Sequence, residues 1–143
     1  MTERPPQRLW DTPSRLRTQI AAGGGRLSRE VFDSVGAGRY HCAILCAVEE
    51  FGPCCQAELG RRLRMDRKDV AQRVVELEDE RCVQRRADPA DPRRNLVRLT
   101  AGGRERLDLI QARLAVAQNE LMAPPTPQER AGLVAALQKI LDR

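Results

Sequence analysis

Between Cys55 and Thr100 the chain carries in succession the local signatures of helix, turn, helix and β-hairpin, and no other stretch limits the fold as tightly. Gln56-Ala57-Glu58-Leu59-Gly60-Arg61-Arg62-Leu63 predicts a first short helix, with a turn at Arg64-Met65. Asp66 stands where an N-cap is needed. Its carboxylate can accept a hydrogen bond from the backbone N–H of Lys68 or Asp69, donors that a helix start otherwise leaves without partners. From Arg67 to Glu80 the apolar residues Val70, Val74 and Leu77 recur at i, i+4 and i+7, the spacing of one helix face. The other face carries Arg67, Lys68, Gln72 and Arg73. Two short alternating runs follow, Cys82-Val83-Gln84-Arg85-Arg86 and Asn95-Leu96-Val97-Arg98-Leu99. Between them Asp88-Pro89-Ala90-Asp91-Pro92-Arg93-Arg94 reads as a hairpin tip.

A helix with a basic, hydrogen-bonding outer face fits a DNA major groove, and a basic hairpin beside it can reach phosphates or the adjacent minor groove. Charge distribution separates this reading from that of a helical domain whose charges only solvate it. Residues 61–106 hold 14 Lys+Arg and 9 Asp+Glu, residues 1–60 hold 7 and 7, and residues 107–143 hold 4 and 4. The whole formal charge of +5 therefore sits on the helix–turn–helix and hairpin. A positive footprint confined to the docking element is what a phosphate backbone demands. Arg67, Lys68, Gln72 and Arg73 are the candidates for base or phosphate contacts, Arg being suited to guanine and Gln to adenine. Arg93 and Arg94 are placed at the hairpin tip, with Asp91 pairing to Arg93 or a neighbour and fixing the loop. Arg62 and Arg64, with Arg61, flank the turn, either as phosphate holders or as a solvated face.

The stretch resembles the MarR family of winged-helix transcription regulators. The likeness rests on Gln56-Ala57-Glu58-Leu59, Asp66-Arg67-x-x-Val70, Leu77-Glu78 and the wing run Asp91-x-Arg93 closed by Leu99-Thr100. It implies a mainly α fold with a small β-hairpin wing, that is, a winged helix-turn-helix domain plus N- and C-terminal dimerisation helices. It also implies a homodimer, a recognition helix at 66–80, a wing arginine in the minor groove and a small-molecule or redox signal that changes affinity for double-stranded DNA. A very short strand at Cys54 would join the wing.

The rest of the chain fits one domain of 143 residues, with a lobe at 39–100 and dimerisation helices at 14–35 and 101–143. Residues 1–8 are Pro-rich and read as mobile. Thr12-Pro13 or Ser14 opens a first helix running to about Ser34, interrupted at Gly23-Gly24-Gly25, which either kink it or let another backbone approach. A second helix spans about Tyr40 to Glu50 and is stopped at Phe51-Gly52-Pro53. Thr100 caps a long helix reaching Met122, in which Leu107, Ile110, Leu114, Ala117 and Leu121 step by 3 and 4, a seam suited to a partner helix. Thr126-Pro127-Gln128-Glu129 is a capping box opening a last amphipathic helix that carries Leu133, Val134, Leu137, Ile140 and Leu141. With 3% aromatic residues, the core should be built from Leu, Val, Ala and Ile.

No run approaches the ~18 apolar residues of a spanning helix. The start, Met1-Thr2-Glu3-Arg4-Pro5-Pro6, has no secretory h-region. A cytoplasmic protein with no membrane partner is expected. There is no GxSxG, no Walker loop and no nucleophile partner for His41, the single histidine, so catalysis is not expected. Nor does any Cys/His spacing suit structural zinc, and no cofactor or metal is expected. The five cysteines are either small buried hydrophobes or a thiol switch. Cys42 and Cys46 share a helix face, and Cys54-Cys55 are vicinal. Peroxide-sensing members of the resembled family place their cysteine in the first helix, where this chain has none. Ligand-responsive members bind near the first and second helices, which points to Trp10, Arg15, Tyr40 and His41. An aromatic plate with Arg or His suits an aromatic carboxylate or phenolate, although Trp10 would equally anchor the N-terminus. Urate-responsive members carry an acid where this chain has His41. A winged-helix module for protein contacts, without DNA, is the rival reading.

Overall fold

The spacings that pick out helices and hairpin in the sequence all produce elements in the computed structural model, which describes residues 3–142. Their order is α1 (Gln7–Trp10), α2 (Pro13–Val35), α3 (Arg39–Phe51), α4 (Gln56–Leu63), α5 (Arg67–Asp79), β1 (Val83–Asp88), β2 (Asp91–Leu99), α6 (Ala101–Leu121) and α7 (Pro127–Leu141). The fold is mainly helical with one antiparallel hairpin. Met1 and Thr2, which open the tail read above as mobile and without a secretory signal, and Arg143 lie outside the described residues. Two compact units emerge, residues 29–113, and residues 1–28 with 114–143; the boundary falls inside α2 and α6. Among the described residues no helix is long and apolar enough to cross a membrane.

In the 29–113 unit the apolar face of α5 is the centre of the core. Val70, Val74 and Leu77 are at most 1% exposed, as are Ile44 and Leu45 of α3, Leu59 of α4, Val83 and Val97 of the hairpin and Ile110 of α6. Cys42, Cys54, Cys55 and Cys82 are also buried, so thiols fill volume that a chain poor in aromatics leaves open. Each helix start has its own device. At α3, the ring Nδ1 of His41 accepts the backbone N–H of Gly38 at 2.9 Å, the role a Glu or Gln plays in a capping box. At α5, Asp66 Oδ1 accepts the Lys68 N–H at 2.8 Å, worth about 1 kcal/mol. Cys55, at the N-cap of α4, makes no side-chain capping bond. The turn between α4 and α5 places Arg64 at φ 51°, a left-handed conformation that costs a non-glycine residue roughly 1–2 kcal/mol.

The hairpin is longer than the alternating runs suggest. Ladder pairing holds from Val83↔Leu99 to Ala87↔Asn95 and then jumps to Asp88↔Asp91, so Pro92, Arg93 and Arg94 loop out of register as a bulge in β2. The apex is therefore Pro89-Ala90, and Arg93 and Arg94 stand beside it rather than at the tip. A third, one-residue strand joins the sheet: Cys54 pairs with Val97 through N–H···O bonds of 3.2 and 2.7 Å. Beyond β2, Thr100 caps α6 by accepting the Gly103 N–H at 3.0 Å, while its own hydroxyl donates to the Arg81 carbonyl at 2.6 Å. Arg106 of α6 donates to the Val35 and Gly36 carbonyls at 2.9 and 2.8 Å, placing a cation at the C-terminal end of α2.

In the other unit, α2 runs without a break through Gly23-Gly24-Gly25. A Cβ on Gly24 would lie 3.3 Å from the side chain of Leu121, whereas Gly23 and Gly25 face open space. Gln7 and Arg8, in the N-terminal tail read as mobile, are helical, and Trp10 belongs to the short α1 rather than to α2. Thr126 and Glu129 form the expected capping box of α7 through bonds of 3.2 and 2.8 Å. α7 itself buries none of its described side chains.

Candidate nucleic-acid interface

With Val70, Val74 and Leu77 turned into the core, the geometry of α5 leaves a polar stripe outside. Lys68, Gln72, Val75 and Asp79, spaced 4, 3 and 4 residues apart, are all exposed, with Arg67 exposed beside them. Arg73 departs from this pattern. Its guanidinium donates to both carboxylate oxygens of Glu76, at 2.9 and 3.0 Å, and its side chain is only 28% exposed. Glu76 also accepts from Gln72 Nε2 at 3.3 Å and faces His41 Nε2 of α3 at 2.5 Å. Arg73 first, then His41, hold the Glu76 carboxyl below the usual carboxylate range.

The wing is fastened to this helix. Glu78 accepts the backbone N–H of Arg85 at 3.0 Å and the Arg85 guanidinium at 2.8 and 3.1 Å, and this grip lowers the carboxyl's pKa. Inside the wing the organising residue is Asp88, the one charged residue buried among those described, at 8% exposed. It accepts the Ala90 N–H at 2.9 Å and Arg94 Nη2 at 3.0 Å, and these two contacts, in that order, lower its pKa. Asp91 accepts the backbone N–H of Arg93 at 3.1 Å. The Arg93 side chain is thus left exposed on the bulge, while Arg94 is committed to Asp88. At the turn, Arg62 lies 4.0 Å over the ring of Phe51 and pairs with Glu58 at 3.1 Å; Arg64 occupies the left-handed C-cap of α4.

The residues singled out for a ligand fall in both units. Trp10 (47% exposed) and Arg15 belong to the 1–28 and 114–143 unit, Tyr40 and His41 to the 29–113 unit. Tyr40 carries Arg39 over its ring at 4.9 Å, and both ring nitrogens of His41 are engaged. Among the described residues no group of three or more His, Cys, Asp and Glu is placed to hold a metal ion.

Four residues of this site escaped the sequence reading: Glu76, Glu78, Asp88 and Val75. The first could have been found, since Glu76 follows Gln72 by four residues and Arg73 by three, the spacings of interacting helix partners. Glu78 acts from α5 onto β1 and Asp88 across the hairpin, contacts that spacing alone does not give.

A family model described as MarR family matches residues 38–94, from the start of α3 to the wing bulge. The HTH-type transcriptional repressor NicR of Pseudomonas putida is 31% identical over 98 residues, 68% of this chain and 62% of that protein. The curated relatives that match are covered over 52% and 62% of their own lengths. Among solved structures, a probable transcriptional regulator from Pseudomonas aeruginosa is 30% identical with a TM-score of 0.79, covering 92% of this chain and 98% of that one. A mutant MarR from E. coli complexed with operator DNA is 25% identical with a TM-score of 0.77, covering 90% of this chain and 92% of that one. The chain belongs to the MarR family.

Proposed function

We propose that this protein is a sequence-specific, double-stranded-DNA-binding regulator of transcription, a repressor acting in the cytoplasm as a homodimer on a pseudo-palindromic operator. The observation that carries the reading is the Glu78–Arg85 bracket, which fixes the exposed face of α5 and the Arg93 bulge as two parts of one grip. Arg67, Lys68 and Gln72 then face base edges and phosphates, Arg93 reaches the flanking groove, and Arg62 and Arg64 lie toward the backbone. Arg73, Arg94 and Asp91 set the shape of the reading head. Binding of the E. coli relative to operator DNA agrees with this assignment.

Dimerisation is supported by α7, where Leu133, Val134, Leu137 and Ile140 are 40–59% exposed, a face that an isolated chain leaves in water. Helices 14–35 and 101–143 are the proposed dimer elements, and 39–100 is the proposed DNA-binding lobe. A two-fold dimer presents two recognition helices, so half-sites should lie about one helical turn apart. The effector is proposed to be a small aromatic carboxylate or phenolate, with Tyr40 and His41 as its candidate contacts in the 29–113 unit and Trp10 and Arg15 as candidates in the other. An acidic ligand reaching His41 must displace Glu76, and that would disturb Arg73 and Gln72 on the recognition helix. Competition at a single imidazole thus links ligand to DNA.

The deciding experiment selects duplexes from a random pool and measures affinity for the winner and for random DNA across a salt series. Log affinity should fall linearly with log salt, since each neutralised phosphate releases counterions. Affinity that ignores both salt and sequence would overturn the reading and favour a protein-contact module. Sedimentation at micromolar concentration tests the dimer, and a monomer there would refute it.

A further inference from the structure

We propose that Val75 reads a thymine: its methyl groups pack on the thymine 5-methyl in the major groove, next to the base read by Gln72. The inference rests on the reading of α5 as the groove-filling helix and goes on to specify part of the operator.

Val75 is not an overflow of the core. The buried face of α5 is complete with Val70, Val74 and Leu77, while Val75 is turned about 100° from Val74 and is 41% exposed. It is the large apolar side chain that α5 leaves outside, and it lies in the same stripe as Lys68 and Gln72. An apolar side chain in the stripe that carries Lys68 and Gln72 toward its start and Asp79 at its end finds one apolar counterpart in the major groove. Of the base edges there, thymine alone carries a methyl. Valine suits that contact because its χ1 is nearly fixed in a helix, so its two methyls stay where the backbone puts them.

The neighbour strengthens the assignment. Gln72 donates one amide N–H to Glu76 at 3.3 Å. Its amide oxygen and second N–H then match the N6–H and N7 of adenine. Val75 follows Gln72 by three residues, about 4.5 Å along the helix axis at a rise of 1.5 Å per residue. That distance is close to one base step of about 3.4 Å. The half-site should therefore hold an adenine and, in the same or the adjacent pair, a thymine whose methyl is read.

The test uses the full-length protein and its selected operator, with each thymine replaced in turn by deoxyuridine, which keeps the pairing and lacks the methyl. One position in each half-site should lose affinity about fourfold, the worth of one buried methyl group. Val75→Ala should melt at the same temperature, bind the thymine and deoxyuridine duplexes equally at that position, and keep its preference at the Gln72 base. Wild-type binding that is specific but indifferent to every deoxyuridine would overturn this inference alone. Discrimination that persists unchanged in Val75→Ala would do the same. Absence of any sequence preference in the wild-type protein would overturn the groove-filling reading, and this inference with it.

Discussion

His41 Nε2 lies 2.5 Å from Glu76 Oε2, joining α3 to α5 through one short contact. Because His41 Nδ1 accepts from Gly38, the proton of the neutral ring is on Nε2 and points at the carboxylate. Glu76, so held, keeps the Arg73 guanidinium against the helix. A cation withheld in this way adds nothing to indiscriminate phosphate binding. Glu76→Gln removes the negative charge and keeps the shape, so Arg73 becomes available to the backbone. Affinity for random DNA should rise, and the slope of log affinity against log salt should steepen by about 0.9 for the added phosphate contact. Titrations at several salt concentrations read this directly; a slope equal to that of the wild-type protein would sink the account.

Asp88 should make the wing acid-sensitive. Its folded pKa is lowered by the Ala90 N–H and Arg94. A depressed carboxyl contributes stability above its unfolded value, about 3.9, and that contribution is lost as pH falls through the folded value. Asp88→Asn should therefore lower the urea midpoint at pH 7, and the gap to wild type should close below about pH 4. Glu76 and Glu78 have the same sign, so acid denaturation of the variant persists while its difference from wild type shrinks. A gap independent of pH would show that Asp88 acts through packing alone.

Arg93 and Gln72 should fail differently when truncated. Arg93 projects from the bulge with its backbone pinned by Asp91, so it can serve as a positioning contact without reading a base. Arg93→Ala should weaken binding to operator and random DNA by a similar factor. Gln72→Ala should change which base is preferred at one position of each half-site. An Arg93→Ala protein of unchanged affinity would remove the wing from the interface.

How far these elements were legible depends on the range of the forces that set them. The α5 helix, its Asp66 cap, the Thr126–Glu129 box and the Cys54 bridge follow from residues a few positions apart or from the resemblance. The bulge at Pro92-Arg93-Arg94 was not legible, because a ladder can shift register there without disturbing the apolar alternation at Val83, Val97 and Leu99. Arg73 was not legible as a paired residue: helix phase sets it at the edge of the face formed by Val70, Val74 and Leu77, where its Nη1 meets both oxygens of Glu76. Continuity of α2 through three glycines also went against propensity, which disfavours each by about 1 kcal/mol relative to alanine.

Gly103 should be irreplaceable. A Cβ there would overlap the Cys82 carbonyl oxygen and sit 2.7 Å from Leu99 Cδ1. Backbone cannot yield as a side-chain end can, so Gly103→Ala must push the start of α6 away from the base of the wing. The Thr100–Gly103 and Thr100–Arg81 bonds would be strained together. Overpacking of this kind costs about 1–3 kcal/mol or more. Gly132→Ala, where a Cβ meets open space, is the control and should be stabilising or neutral. Equal melting temperatures for the two variants would contradict the proposed packing.

The thiols should be slow to react in the folded protein. All five cysteines are free, four of them buried and Cys46 half-buried. Burial, and then the neighbouring Cys46, pushes Cys42 up to about 12; burial also raises Cys54 and Cys82. Since the thiolate is the nucleophile, roughly one Cys42 in 10⁵ is reactive at pH 7. Cys46, whose Sγ accepts from Gln111 Nε2 at 3.4 Å, is the most accessible. Under native conditions an aromatic disulfide reagent should titrate at most Cys46, and in denaturant all five. Hydrogen peroxide at concentrations that oxidise free cysteine should leave operator affinity unaltered. A peroxide-induced loss of binding, restored by dithiothreitol, would reinstate the thiol switch and require an opening motion that brings one of the buried sulfurs to water.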